Sequence, residues 1–164
     1  MTAFDNLRFF ASMLTTLQGV SMYGLRREDS LGFHGGLTQR AVLGALERDL
    51  KPFGMSPVQY IALGQIFGGQ VTSPSDLAEN LSITRATAVR LVDRMVRDGL
   101  VTRESDPEDG RVKLLRPTGK AQSVWEQVAD IGPKNLEKAY EGIDSADIER
   151  AKQVLACVRA NLQR

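Results

Sequence analysis

Four arginines punctuate residues 84–98, TRATAVRLVDRMVRD. On a helical wheel at ~100° per residue, Thr87, Arg90, Arg94 and Arg97 share one side, and Ala88, Leu91, Val92, Met95 and Val96 the other. A guanidinium on such a surface can donate two hydrogen bonds to guanine O6 and N7, and a threonine methyl can touch thymine. Thr87 and Arg90 come early in the helix, where a recognition helix meets base edges, and Arg85 lies in the same first turn on one flank. Arg94 and Arg97, further along, suit phosphates. The bland alternative is a solvated charged face, common on any helix. The position of this helix in the chain favours the contact with DNA.

A second set of candidates follows directly, in LVTRESDPEDGRVKLL at 100–115. Arg111 comes after Gly110 at the tip of what reads as a hairpin. An arginine on a thin loop can enter a narrow minor groove, where negative potential is concentrated. Asp109, two residues earlier, can hold the guanidinium or the turn in shape. Asp106 before Pro107 is a turn-starter, and Lys113 joins the cations on the far strand. Glu104 and Glu108 are either solvated or paired with Arg103 and Lys113. A metal site built from Glu104, Asp106, Glu108 and Asp109 is the rival reading. It does not match the twelve-residue calcium loop, which needs Gly at its sixth position and Glu at its twelfth.

Catalysis finds no converging set. The single histidine, His34, sits in a Gly-rich stretch, and no Ser/His/Asp or Cys/His arrangement can be built around it. No phosphate-binding loop ends in Lys-Ser or Lys-Thr. These residues point to no enzyme, no cofactor and no metal. The lone Cys157, beside Val158 on a late helix, reads as a buried packing residue, since a redox thiol needs exposure and positive surroundings. Trp125, on an apolar stripe, reads as core. The net charge of +1 makes no case for nucleic acid by itself, so charge placement must carry it. One cysteine fits a reducing cytoplasm. The N-terminus lacks a secretory pattern, and no apolar run approaches the ~20 residues of a membrane span.

Helical and strand periodicities place these groups. Residues 3–21 predict a first helix on Leu7, Phe10, Leu14 and Leu17. GLRREDSLGFHGG, 24–36, reads as a loop, followed by a helix over 37–50 that Pro52 and Gly54 stop. Ser56-Pro57 opens a helix ending at Gly68-Gly69. Ser73 or Ser75 caps a short helix, LSIT links it to the arginine-rich helix capped by Thr84, and Gly99 suits the left-handed position after it. Short helix, tight turn, longer helix is a helix-turn-helix. Strands at 100–105 and 111–116 follow. A helix after Pro117 is broken or kinked at Gly132-Pro133. The last helix, from Asp144 or Ser145, carries Ile148, Ala151, Leu155, Val158 and Leu162 as a heptad-like seam. The fold class is mainly α with a small β-hairpin wing: a winged helix-turn-helix domain at 55–117, between N-terminal helices at 1–52 and C-terminal helices at 118–164.

The stretch LAENLSITRATAVRLVDRMVRDGLVTRESDPEDGRVKLL resembles the MarR family of bacterial winged-helix regulators. The likeness covers about 72–121 and lies in TRATAVRLVDRM, DGLV and DPEDGR. The resemblance implies DNA contact for Thr84, Arg85, Thr87 and Arg90, and a minor-groove role for Arg111 with Asp109 as partner. It further implies a homodimer through the terminal helices, usually a repressor, often released by a small phenolic or aromatic-acid effector. LLRPTGKAQ departs from the family's habit, because Arg116 stands where a capping Thr is usual, so the next helix is expected to start near Thr118. The N-terminal extension lacks the Trp of the urate-responsive subgroup, and Cys157 is not where peroxide sensors keep theirs.

The expected assembly is triangular, with 3–21, 37–50 and 145–162 in its dimer layer. Two copies of helix 84–98 would meet successive major grooves ~34–36 Å apart on a palindrome. An effector would bind near Phe33, His34, Arg40 and Tyr60. The other class open to this sequence is a winged-helix module whose basic stripe binds an acidic protein partner.

Overall fold

The computed structural model describes residues 26, 29–108 and 113–163. The helix expected over 3–21 and the wing-tip residues Asp109 and Arg111 lie outside the described residues. In chain order the elements are α1 (Leu31–Leu50), a 3-10 turn (Lys51–Phe53), α2 (Pro57–Phe67), α3 (Pro74–Asn80), α4 (Arg85–Arg97), β1 (Val101–Ser105), β2 (Lys113–Pro117), α5 (Gly119–Val128), α6 (Ile131–Ala139) and α7 (Ser145–Leu162). Contacts divide the chain into two compact units, Val42–Tyr140 and Met1–Ala41 with Glu141–Arg164. α1 runs from one into the other.

The Val42–Tyr140 unit is cut into short elements by its polar residues. Ser56 and Ser73 each close a capping box, with Gln59 and Asp76 respectively reaching back to the cap nitrogen, and a proline fills the first helical position both times. Thr84 accepts from Thr87 N to start α4. Gly99, at φ 72°, turns the chain out of α4 into β1, a backbone that L side chains resist. β1 and β2 pair antiparallel from Val101↔Pro117 to Ser105↔Lys113. The wing is tied at its base, where Leu115 N donates to Thr72 O at 2.7 Å and Thr118 N to Leu100 O at 3.1 Å. Thr118 caps α5, accepting from Ala121 N, so the replacement of the usual Thr by Arg116 moves the helix start as expected.

One apolar core joins these elements. Leu50, Leu63, Leu77, Val92, Met95, Val101 and Val128 are fully buried in it. Trp125 packs against this core between Tyr60 and Phe67, ring centroids 5.2 and 5.5 Å away. The approach is close enough that a Cβ on Gly64 would stand 2.9 Å from the indole. Val96, grouped with the apolar side of the wheel, is 38% exposed and stands off this core.

Four expectations need correction. The Gly-rich segment is no loop as far as 36, because α1 starts at Leu31, where Ser30 Oγ accepts from Phe33 N. Helix propensity disfavours those glycines by ~1 kcal/mol each, yet a Cβ at Gly35 or Gly36 would meet nothing within 4 Å among the described residues. Nothing in the structure explains glycine there. The break after α5 falls before Gly132-Pro133, since α5 ends at Val128 and Pro133 sits inside the first turn of α6, where no intrahelical donor is lost. Cys157 is exposed, not packed. Only Ile148 and Val158 of α7 are even half-buried, and Cys157 is rotated ~100° from Val158. Arg103, finally, pairs with Asp93 rather than with a wing glutamate.

Candidate nucleic-acid interface

α4 buries Ala88, Leu91, Val92 and Met95 and leaves Arg85, Thr87, Arg90, Arg94 and Arg97 exposed. The wheel separates these two groups because the spacing of the buried residues is that of one helical face. Arg85, Arg90 and Arg94 have no carboxylate partner among the described residues, so their donors are available to an external acceptor. Arg97 has only a 3.8 Å approach to Asp98, with its side chain 74% exposed. Such a surface contact is weak. Arg94 also lines a cleft of ≈ 570 Å³ with Arg48, Lys51, Gln59 and Asp98.

At the helix start, Thr84 Oγ1 and Thr87 Oγ1 are 2.8 Å apart. One hydroxyl therefore donates to the other, and the pair presents a fixed polar edge in the first turn. Asp93, which helical spacing alone does not single out, falls on the outward half of the same wheel. β1 sets a cation against this carboxylate: Arg103 Nη2 donates to Asp93 Oδ1 at 2.6 Å. The same bond ties the wing to α4.

On the wing, Asp106 Oδ1 accepts from Glu108 N at 2.8 Å, the turn-starting role expected of it. Glu104 pairs with Arg116 at 3.5 Å, and Lys113 Nζ donates to Ser105 Oγ at 2.7 Å. Lys113 is therefore anchored to the wing beside the tip.

The candidate effector residues scatter. Phe33 and His34 stack edge to face at 5.9 Å. His34 lines a cavity of ≈ 720 Å³ with Leu31, Thr38, Gln39, Arg150 and Leu155, all in one compact unit. Arg40 is exposed on α1 and is not part of that lining. Tyr60 belongs to the other unit, is 8% exposed, and has its hydroxyl engaged twice, donating to Ala129 O at 2.8 Å and accepting from Gly132 N at 3.0 Å. Its visible role is to bridge the α5–α6 break.

The profile of the MarR family matches residues 53–112, the stretch that holds the helix-turn-helix and the wing. Over that stretch the chain is similar to the MarR family. The HTH-type transcriptional repressor IacR of Pseudomonas putida is 27% identical over 130 residues, spanning 79% of this chain and 75% of that one. The S. aureus MepR–DNA complex superposes with a TM-score of 0.75 at 19% identity, covering 82% of this chain and 98% of MepR. CouR of Rhodococcus jostii RHA1, solved with p-coumaroyl-CoA, gives 0.70 at 24% identity over 80% and 93% of the two chains. These two likenesses show that the chain shares their fold.

Proposed function

We propose that this regulator is a homodimeric repressor that grips a palindromic operator with α4 in the major groove and the wing arginine in the minor groove. The observation that carries the reading is the outward face of α4, where Arg85, Arg90 and Arg94 stand exposed without a carboxylate partner among the described residues. Arg90 takes a guanine edge, Arg85 and Thr87 adjacent base edges or phosphates, and Arg94, Arg97 and Lys113 phosphates. Arg111, held by Asp109, enters the minor groove. The dimer rests on α7, whose seam exposes Leu155 and Leu162. Two tethered reading heads raise affinity far beyond one. MepR was solved on DNA and IacR is named a repressor, which support the same output here.

The effector is a small aromatic or phenolic compound; CouR was solved with p-coumaroyl-CoA, whose acyl group is phenolic. The ≈ 720 Å³ cavity beside His34 is of ligand size, and Arg150 and Asp147, 3.5 Å apart in its lining, offer polar groups beside an apolar wall. Selection of bound duplexes from a random pool by the purified protein tests the whole reading. A recovered palindrome with a G·C pair in each half-site is the expected result; a non-palindromic consensus sinks the dimeric arrangement.

A further inference from the structure

Val89 is 45% exposed on α4, a helix whose other outward side chains are mostly charged. Core packing does not require it: the buried face is formed by Ala88, Leu91, Val92 and Met95, and Val89 is turned ~100° from Ala88. Its surface neighbours in the first two turns are Arg85, Ala86 and Arg90, all exposed. The wing strand does not cover it either. β1 reaches the helix one turn further on, through the 2.6 Å bond from Arg103 to Asp93. The result is an exposed isopropyl group one turn after Arg85, which lacks a carboxylate partner among the described residues, and one turn before the Arg103–Asp93 pair.

The major groove offers one apolar group at base-pair edges, the C5 methyl of thymine. Burying a methyl against an isopropyl group removes water from both, which is favourable. A cytosine at the same place lacks the C5 methyl and so offers no apolar group to bury. We propose that Val89 selects thymine at one position of each half-site, next to the base pair held by Arg90. The assignment rests on α4 entering the major groove as described above.

The test uses the full-length protein and the duplex it selects from a random pool. Each thymine is replaced singly by deoxyuridine, which lacks only the methyl. In wild type, one position per half-site should lose about fourfold in affinity, the worth of one buried methylene-sized group. In Val89→Ala the same replacement should cost clearly less, because alanine keeps one carbon of the isopropyl group. Alanine is a strong helix former at an exposed site, so the variant folds. The idea is overturned if wild type tolerates every deoxyuridine, or if the loss persists undiminished in Val89→Ala. Failure of the underlying reading looks different: no duplex would be recovered, or Arg90→Ala would bind the selected duplex like wild type.

Discussion

On the proposed reading, Arg90 and Arg111 would divide the work of recognition. Arg90 projects from a helix pinned by four buried side chains, so its guanidinium is presented with little backbone freedom to lose. Arg90→Ala should cost ~1–3 kcal/mol of DNA binding and relax base preference at one position per half-site. Competition titrations against single-base operator variants read both effects. Arg111→Ala should weaken binding to operators with a narrow A·T-rich flank more than to those with a G·C flank, since the narrow groove concentrates the potential. Sedimentation of the same variant should show an unchanged dimer. Of these two arginines, the first was placed by helical periodicity alone. Asp93 escaped that logic because its partner, Arg103, is ten residues away on a strand. Wheels report faces, not the element that comes to meet them.

At the scale of elements, two joints decide how rigidly α4 is carried. One is the start of α3. The Asp76 carboxylate is raised by its partial burial, but hydrogen bonds from Thr72 and Ser73 outweigh this and hold its pKa below the ordinary value. A depressed folded-state pKa means stability that is present above the ordinary carboxylate range and lost as acid protonates the group. Chemical denaturation from pH 5 downward should therefore show a fall in wild type that is shallower in Asp76→Asn. The other joint is Tyr60, which satisfies Ala129 O and Gly132 N across the α5–α6 break. A Cβ on Gly132 would lie 2.6 Å from that hydroxyl, so glycine is required there. Tyr60→Phe orphans two backbone groups and should cost ~1–3 kcal/mol in the denaturation midpoint. The capping serines and the kink-prone Gly-Pro pair were legible from residue types. That a tyrosine 69 residues before Ala129 would bridge the break was not, because nothing local marks a long-range hydrogen bond.

For the whole molecule, the question is what covers α7. Ile148, Ala151, Leu155, Val158 and Leu162 keep heptad spacing, yet only Ile148 and Val158 are half-buried. An apolar seam facing water is disfavoured by ~25 cal/mol per Å² relative to burial, a cost that the proposed second copy would remove. Leu155→Asp leaves the described core untouched and should yield a monomer by sedimentation, with operator affinity down by ~10²-fold or more. A variant that stays dimeric would move the interface elsewhere. Ala151 and Leu155 also line the ≈ 720 Å³ cavity, so an effector there would sit against the surface offered to the partner.

The chain by itself determined the helix-turn-helix, the wing strands and the cationic face of α4. Those features are written in spacings of two, three and four residues, in caps and in turn formers, which short-range sterics and hydrogen bonding translate directly. It misjudged the extent of α1, where the Gly-rich stretch proved helical, and the burial of Cys157. Both depend on what packs nearby, and sequence spacing does not report it. Only the tertiary structure settled that Arg103 answers Asp93, that Tyr60 closes the α5–α6 break and that Val89 is left in the open. Each is a meeting, or a failed meeting, of residues far apart along the chain, and is decided by how the core brings their elements together.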